Sequence, residues 1–247
     1  MAKIASLRIA LALLGICAPA LAQQPSKSPA DDVVVEPDTQ FDAQLLEGVQ
    51  LLNAGKPAPA IKIFDAIIAS YEAKYGAKII YRCASEARTE DTIADAFKSA
   101  LITGRKNIAL GSEEWCTALF GKGFAMIDLG KPDEAGPYLA RAVEMDPLNA
   151  HFINEYAEWF KPQRKWQQSY DLFLRAWRTV DHDKTGPNRR VAARSLRGMA
   201  FNLIELGDLK GAERLYRQSL EYEPEAAAKV QNELDFIADA RAKQKAS

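Results

Sequence analysis

The sequence predicts an all-α protein built from repeated pairs of helices, and three observations support this fold class. Only 14 of the 247 residues are glycine, which argues against a turn-rich all-β chain. Long stretches are rich in Ala, Leu, Glu, Lys and Arg, the residues with high helix propensity. The chain also matches itself at a regular interval. Because 48% of the residues are apolar, a sizeable buried core is expected.

The internal repeats are marked by small residues, glycines and prolines that recur in a fixed order. At an offset of 77 residues the matching positions are Gly123, Gly130, Ala135, Ala142 and Pro147 opposite Ala200, Gly207, Ala212, Ser219 and Pro224. At an offset of 75 they are Gly48, Gly55, Ala60 and Phe64 opposite Gly123, Gly130, Ala135 and Leu139. Each offset equals two 34-residue periods with a short insertion.

The landmarks have mechanical reasons within a helix pair. Small residues such as Gly123 and Ala135 let two helices approach closely. The Leu-Gly dipeptides at 129–130 and 206–207 end the first helix through a left-handed C-cap. The prolines that follow Asp146 and Glu223 end the second helix, since proline restricts the residue before it.

These motifs make the chain similar to tetratricopeptide repeat (TPR) proteins. The specific motifs lie at 116–149 and 193–226, and weaker ones lie at 41–73 and 150–183. The resemblance covers about residues 41–243. It implies a right-handed α-solenoid of about four to five helix pairs, with a concave groove that binds a protein or peptide segment without catalysis.

The C-terminal segment 227–243 is predicted to be a capping helix. Val230, Leu234 and Ile237 share one helical face, and charged residues occupy the others. No second helix follows in this register. Such a helix covers the last open apolar face of a stacked array.

Residues 75–115 should hold the second repeat, but the small-residue landmarks are missing there. Thr92–Ile102 has the apolar period of an amphipathic helix. Tyr75–Cys83 is too β-branched and aromatic for an ordinary first helix. Two interpretations remain open for this segment, a degenerate helical pair and an irregular insert.

The N-terminus has the order of a secretory signal peptide: Lys3 and Arg8, an apolar run to Cys17, and small residues before a cleavage site after Ala22. The prediction is therefore a periplasmic or secreted protein. The mature chain is expected not to insert into a membrane, because no later segment is apolar enough. Residues 23–40 contain three prolines and are predicted to be a disordered leader. Val33–Val35 could instead dock as an extended strip.

Two cysteines, Cys83 and Cys116, remain after removal of the signal peptide. An even number in an oxidising compartment is typical of a disulfide. Two buried free thiols are the alternative, since cysteine often serves as a small core residue.

Several functional classes are disfavoured by the sequence. The formal net charge of -1 gives no reason to expect nucleic-acid binding. The common hydrolase, phosphate-loop and metalloprotease motifs do not occur, so no enzyme activity and no cofactor are expected. The two histidines, His151 and His182, are too few for a metal site without a cysteine cluster.

The candidate groove residues follow from helical periodicity. Packing landmarks such as Gly123 and Ala200 point into a helix pair, so residues offset from them share a different face. The predicted protein-binding residues are Phe120, Phe124, Ile127, His151, Asn154, Glu158, Arg194, Arg197 and Phe201. Phenylalanines beside polar and basic residues would suit a peptide with an apolar anchor and an acidic flank. Filling of gaps between repeats is the alternative for the phenylalanines.

One known TPR subgroup grips C-terminal carboxylates with Lys and Asn on its first helices. The matching positions in the first repeat are Leu45 and Val49, so that clamp is not supported. Further basic residues follow Lys161, and they either line a groove for an acidic partner or form solvated faces paired with Glu and Asp. We expect the double substitution of Phe124 and Arg197 to abolish partner capture while leaving the melting temperature nearly intact.

Together these features predict a periplasmic scaffold or adaptor for proteins or peptides. An envelope-structural factor, assembled with outer-membrane, division or pilus machinery, is the alternative. The sequence does not identify the partner or the oligomeric state.

Overall fold

The computed structural model describes residues 33–36, 40–76, 79–83, 89–104 and 107–246. The predicted signal peptide and its cleavage site lie outside the described residues. In chain order the elements are β1 (Val33–Glu36), α1 (Asp42–Asn53), α2 (Pro57–Tyr75), β2 (Ile80–Cys83), α3 (Thr89–Thr103), β3 (Ile108–Gly111), α4 (Glu114–Asp128), α5 (Pro132–Met145), α6 (Ala150–Phe160), α7 (Trp166–Thr179), α8 (Arg189–Glu205), α9 (Leu209–Ser219), a 3-10 turn (Pro224–Ala226) and α10 (Ala227–Ala246).

The helices form a solenoid of four pairs, α1/α2, α4/α5, α6/α7 and α8/α9, with α10 packed on the last pair. This confirms the predicted all-α solenoid and its capping helix. The predicted apolar face of α10 is buried, with Val230, Leu234 and Ile237 packed against α9 and the end of α8.

The turn inside a pair needs a residue with a left-handed backbone. Gly130 and Gly207 have φ of 71° and 87°, so the Leu-Gly dipeptides end α4 and α8. The α6/α7 turn is longer and uses a non-glycine residue, Arg164, with φ of 55°. A side chain costs energy in this region, so this turn carries a conformational cost that the glycine turns do not.

Neighbouring pairs interlock through a phenylalanine that fills the space above a glycine. The ring of Phe64 on α2 occupies the space beside Gly121 of α4, and the ring of Phe173 on α7 does the same beside Gly198 of α8. Both rings are fully buried. One apolar core therefore runs from α2 to α8.

The interpretation of 75–115 as a degenerate repeat is wrong, and the irregular insert is correct. Among the described residues of this segment, the helix α3 lies between the strands β2 and β3, with no second helix to pair with it. All four residues of each strand are buried, as in the covered strands of a parallel sheet. The β-branched and aromatic residues that disfavoured a helix at 79–83 are those that favour a strand.

The leader also differs from the prediction at one place. Val33–Glu36 form β1, which pairs in parallel with β3, so that β3 lies between β1 and β2. The alternative of an extended strip at Val33–Val35 is therefore correct. Three consecutive β-branched valines favour this extended conformation. The rest of the leader, apart from Gln40, lies outside the described residues.

A disulfide joins Cys83 at the end of β2 to Cys116 in the first turn of α4. The Cα atoms are 6.3 Å apart, within the usual range for a disulfide. Both residues are buried. The bond therefore fixes the insert to the solenoid.

Candidate peptide-binding groove

The candidate groove is the face formed by the nine predicted residues on the first helices α4, α6 and α8. We call it the groove face. Along it, Phe120 of α4 lies 5.2 Å from the ring of His151 on α6. Further on, Glu155 of α6 pairs with Arg194 of α8 through two hydrogen bonds, one of them 2.9 Å long. The three helices thus form one continuous surface.

The α4 part of the groove face is apolar. Phe124 and Ile127 are 37% and 38% exposed. Phe120 is half-buried and stacks on Phe152 of α6 at 4.5 Å. Phe120 therefore fills a gap between repeats, as the alternative interpretation had it, whereas Phe124 and Ile127 present apolar surface to the solvent.

The α6 part corrects one prediction. Asn154 is fully buried rather than exposed on the groove face. Its amide donates to the carbonyl of Val191 at 3.2 Å, and its side-chain oxygen accepts from the hydroxyl of Ser195 at 2.9 Å. Asn154 lies at the α6–α8 contact because α8 covers this position of the helix. It therefore joins α6 to α8.

The other two α6 residues have accessible surface. Glu158 is half-buried and pairs with Lys161 at 2.9 Å. His151 is exposed at the start of the helix, with one side of its ring against Phe120. Loss of water around that ring lowers the pKa of His151, and the charge of Arg194 lowers it further against the opposing effect of Glu155. At neutral pH this histidine is an uncharged part of the groove face.

The α8 part contains charged residues that already have partners. Arg194 pairs with Glu155, and Arg197 lies 2.7 Å from Glu223. The aromatic ring of Phe201 lies 4.5 Å from the ammonium group of Lys161, which stabilises both by a cation–π contact. These basic residues are thus largely paired with nearby acids, as the second interpretation of the basic run had it.

A cavity of about 500 Å³ opens at the α8 end of the groove face. Its lining includes Glu158, Lys161, Arg194, Arg197 and Phe201 from the groove face and its edge, together with Tyr216 of α9 and Lys229, Val230 and Glu233 of α10. The capping helix therefore completes one wall, a contribution that the prediction missed. Lys229 and Glu233 are four residues apart on either side of buried Val230, and this spacing was the available signal.

The lining of this cavity is mostly charged and polar. Burial raises the pKa of Tyr216, and the carboxylate of Glu233 beside its hydroxyl raises it further, so the phenol stays protonated and can donate a hydrogen bond. In the described part of the chain, no three His, Cys, Asp or Glu side chains lie close enough together to hold a metal ion. Searching the same residues finds no helix that could cross a membrane.

A second cavity, of about 380 Å³, lies between the insert and the solenoid. Its walls come from β2, α3, the start of α4 and the end of α5. None of the nine groove residues lines it.

Comparisons with known proteins agree with this architecture. No family model matches the chain, and no curated protein matches it. Among solved structures, a MamA RS-1 double mutant shares 10% identity with a TM-score of 0.54, covering 85% of this chain and 89% of that one. A Podospora anserina protein of the kinesin light chain type, with nearly identical TPR-like repeats, shares 14% identity with a TM-score of 0.50, covering 84% and 97%.

A weaker structural match is the first TPR of Spaghetti (RPAP3) bound to an HSP90 peptide, SRMEEVD. It shares 24% identity and has a TM-score of 0.45, covering 51% of this chain and 93% of that one. This likeness is too low to support an argument about binding. What the matches establish is the fold, a solenoid of TPR-like helix pairs.

Proposed function

We propose that the protein is a binding scaffold that holds a peptide or protein segment on its groove face and carries out no chemical reaction. The observation that carries the proposal is the pair Phe124 and Ile127, which expose apolar surface on the inner helix of a repeat. Folded chains usually bury such side chains, and clustered exposed ones mark binding sites. TPR-like solenoids offer an extended surface for such contacts.

The preferred ligand is a segment with an apolar anchor. Phe124 and Ile127 would bury that anchor, which is the main source of affinity in interfaces of this kind. The charged cavity at the α8 end would receive the flanking residues. Because three of its four cations already pair with acids, an acidic flank adds selectivity more than affinity. Lys229 is the exposed cation available to it.

A photo-crosslinking amino acid at position 127, introduced into the exported protein in cells, tests this proposal. We expect a discrete crosslinked band at position 127 and none at position 206, where the exposed Leu206 ends α8. Adding Phe124→Ser should remove the band. Adding Leu129→Ser, a similarly exposed apolar residue at the end of α4, should leave it. Equal crosslinking at both positions, or a band that survives Phe124→Ser, would contradict the groove proposal.

We also propose that the protein works in the periplasm after cleavage behind Ala22. The proposal rests on the order of basic, apolar and small residues at the N-terminus, and a disulfide is typical of such a compartment. N-terminal sequencing of protein from the envelope fraction should give Gln23 as the first residue. A retained Met1 in that fraction would refute it.

A further inference from the structure

The most exposed apolar side chains of the described residues lie on the insert, away from the groove face. Leu101 and Ile102, at the end of α3, are 87% and 76% exposed. The opposite face of α3 packs on the sheet through Ala96. Leu101 and Ile102 therefore do not belong to the face that α3 buries. An apolar pair this exposed is unusual unless something covers it.

A cavity lies directly beside this apolar pair. Ile102 and Thr103 form part of its rim, and its apolar walls include Ile79, Ile80, Trp115 and Met145. At about 380 Å³ it has room for an apolar side chain. Within the part of the chain that the structure describes, the indole N–H of Trp115, a residue only 2% exposed, has no hydrogen-bond partner.

The charged groups inside the cavity are already neutralised. Arg82 donates to the carboxylate of Asp95 at 3.0 Å and to the hydroxyl of Ser99 at 2.7 Å. The guanidinium of Arg141 lies over the Trp115 ring at 4.9 Å and pairs with Glu72. An entering apolar group would therefore leave no unpaired charge buried.

The exposed pair Leu101 and Ile102 and the cavity beside it belong to the same copy of the chain. Such a surface is self-complementary, because a two-fold axis near Ile102 would let each copy place its Leu101 side chain in the cavity of the other. A two-fold interface has this property by symmetry: if residue i of one copy contacts j of the other, j also contacts i.

The charges beside Leu101 and on the rim of the cavity are also complementary. Lys98 is exposed one helical turn before Leu101, and Glu144 is exposed on the rim of the cavity. Within the described residues neither side chain takes part in an ion pair. Because Lys98 lies one helical turn before Leu101, insertion of Leu101 of the partner subunit would bring Lys98 of the partner subunit towards Glu144.

We propose that the chain forms a two-fold dimer in which Leu101 of each copy enters the cavity bounded by β2, α3 and α5 of the other. Lys98 and Glu144 form an ion pair across the interface at two symmetric places. The contact is at the small end of protein–protein interfaces, so the dimer is reversible. Because none of the groove residues lines this cavity, the contact leaves both groove faces available. If the groove binds as proposed above, the dimer is a divalent scaffold with increased avidity for a partner that carries two binding segments.

Sedimentation velocity of the mature chain over a series of concentrations tests the proposal. The wild-type protein should show a monomer–dimer equilibrium. Leu101→Ser should raise the dimer dissociation constant by at least about tenfold, because it removes one buried leucine from each side. Leu206→Ser, an exposed leucine outside the contact, should not change it, and neither should Phe124→Ser on the groove face. A monomeric wild type, or a dimer that is lost on Phe124→Ser rather than Leu101→Ser, would overturn the proposal.

A charge exchange tests the symmetric geometry itself. Lys98→Glu and Glu144→Lys should each weaken the dimer, since each places like charges together. The double variant restores opposite charges and should recover most of the wild-type association. A double variant no stronger than either single one would overturn this arrangement. Far-ultraviolet circular dichroism of each variant confirms that the helices are retained.

Discussion

The hydroxyl of Tyr71 on α2 donates a hydrogen bond of 2.6 Å to the carboxylate of Glu114 at the start of α4. The other carboxylate oxygen accepts from the backbone N–H of Phe41, just before α1, at 2.8 Å. Glu114 is only 2% exposed. One buried carboxylate therefore links α2 and the residue before α1 to α4.

Burial raises the pKa of Glu114, and the nearby carboxylate of Asp42 adds to the rise, while the hydrogen bonds from Tyr71 and Phe41 oppose it. The folded state therefore binds this proton more tightly than the unfolded state. The stabilising contribution is present below the usual glutamate pKa and is lost as the pH rises through the raised value.

We predict that the difference in unfolding free energy, wild type minus Glu114→Gln, increases as the pH falls from neutral towards the usual glutamate range. Glutamine keeps an acceptor for Phe41 and cannot titrate, so the difference isolates this carboxyl group from the other acids. Urea denaturation at a series of pH values measures it. A difference that stays constant, or decreases at lower pH, would contradict the predicted direction.

The second prediction concerns the interlock of Phe173 and Gly198. A Cβ at position 198 would overlap the ring of Phe173, so Gly198→Ala should destabilise the fold by about 1–3 kcal/mol through overpacking. Phe173→Ala should cost about 3–5 kcal/mol by opening a cavity. In a Phe173→Leu background the smaller side chain leaves room, and the cost of Gly198→Ala should decrease. Chemical denaturation of the wild type, Gly198→Ala, Phe173→Leu and the double variant measures this coupling. If the free-energy changes of Gly198→Ala and Phe173→Leu are strictly additive, the interlock is refuted.

The repeated helix pairs could be predicted because their determinants are local. Leu-Gly at the end of a first helix and proline after a second one act through backbone geometry that the sequence alone specifies. The sheet could not be predicted in the same way. Its strands have only four residues each. The strands β2 and β3 are buried throughout and so lack alternation, and β1 pairs with β3, which lies far along the chain.

The residues of the groove face could also be predicted only in part. Helical periodicity placed Phe124 and Ile127 correctly on an accessible face, because the packing landmark Gly123 fixes the orientation of α4. The same rule placed Asn154 beside His151 and Glu158, yet α8 covers that position. Periodicity assigns a residue to a face of its own helix, but how closely the next helix approaches that face depends on side chains elsewhere in the chain.

The third prediction follows from the buried position of Asn154. Asn154→Ala removes one of the partners of the Val191 carbonyl and one partner of the Ser195 hydroxyl, so it should lower stability by about 1–3 kcal/mol. Crosslinking from position 127 by the folded variant should not change. His151→Ala, at an exposed position on the same helix, serves as the control with little effect on stability. Loss of crosslinking without loss of stability would return Asn154 to the binding surface.

The fourth prediction concerns the disulfide. Cys83 and Cys116 are 33 residues apart in sequence, and closing a loop of this size stabilises by about 3–4 kcal/mol in the chain-entropy model. The double substitution Cys83→Ser and Cys116→Ser should lower the free energy of unfolding by that order. Wild-type protein denatured without reduction should offer no thiol to an alkylating reagent. Two reactive thiols would show that the bond does not form.

The last prediction concerns Arg197, whose replacement together with Phe124 was expected from the sequence to leave stability unchanged. The structure places its guanidinium 2.7 Å from the carboxylate of Glu223, with side-chain exposures of 21% and 17%. Removing one member leaves the other charge poorly solvated, so Arg197→Ala should cost about 1–3 kcal/mol. Removing both should cost less than the sum of the single changes, and the difference is the coupling energy.

A double-mutant cycle of Arg197→Ala and Glu223→Ala by urea denaturation measures that coupling. Lys229→Ala, which removes an exposed cation of the same cavity, is the matched control and should leave stability nearly unchanged. If Arg197→Ala were equally harmless, the ion pair would contribute nothing to the fold, and Arg197 would be free to act as a binding residue. A measurable coupling instead means that the cationic contribution of this cavity to binding comes chiefly from Lys229, and that Arg197 holds the end of the last helix pair against α8.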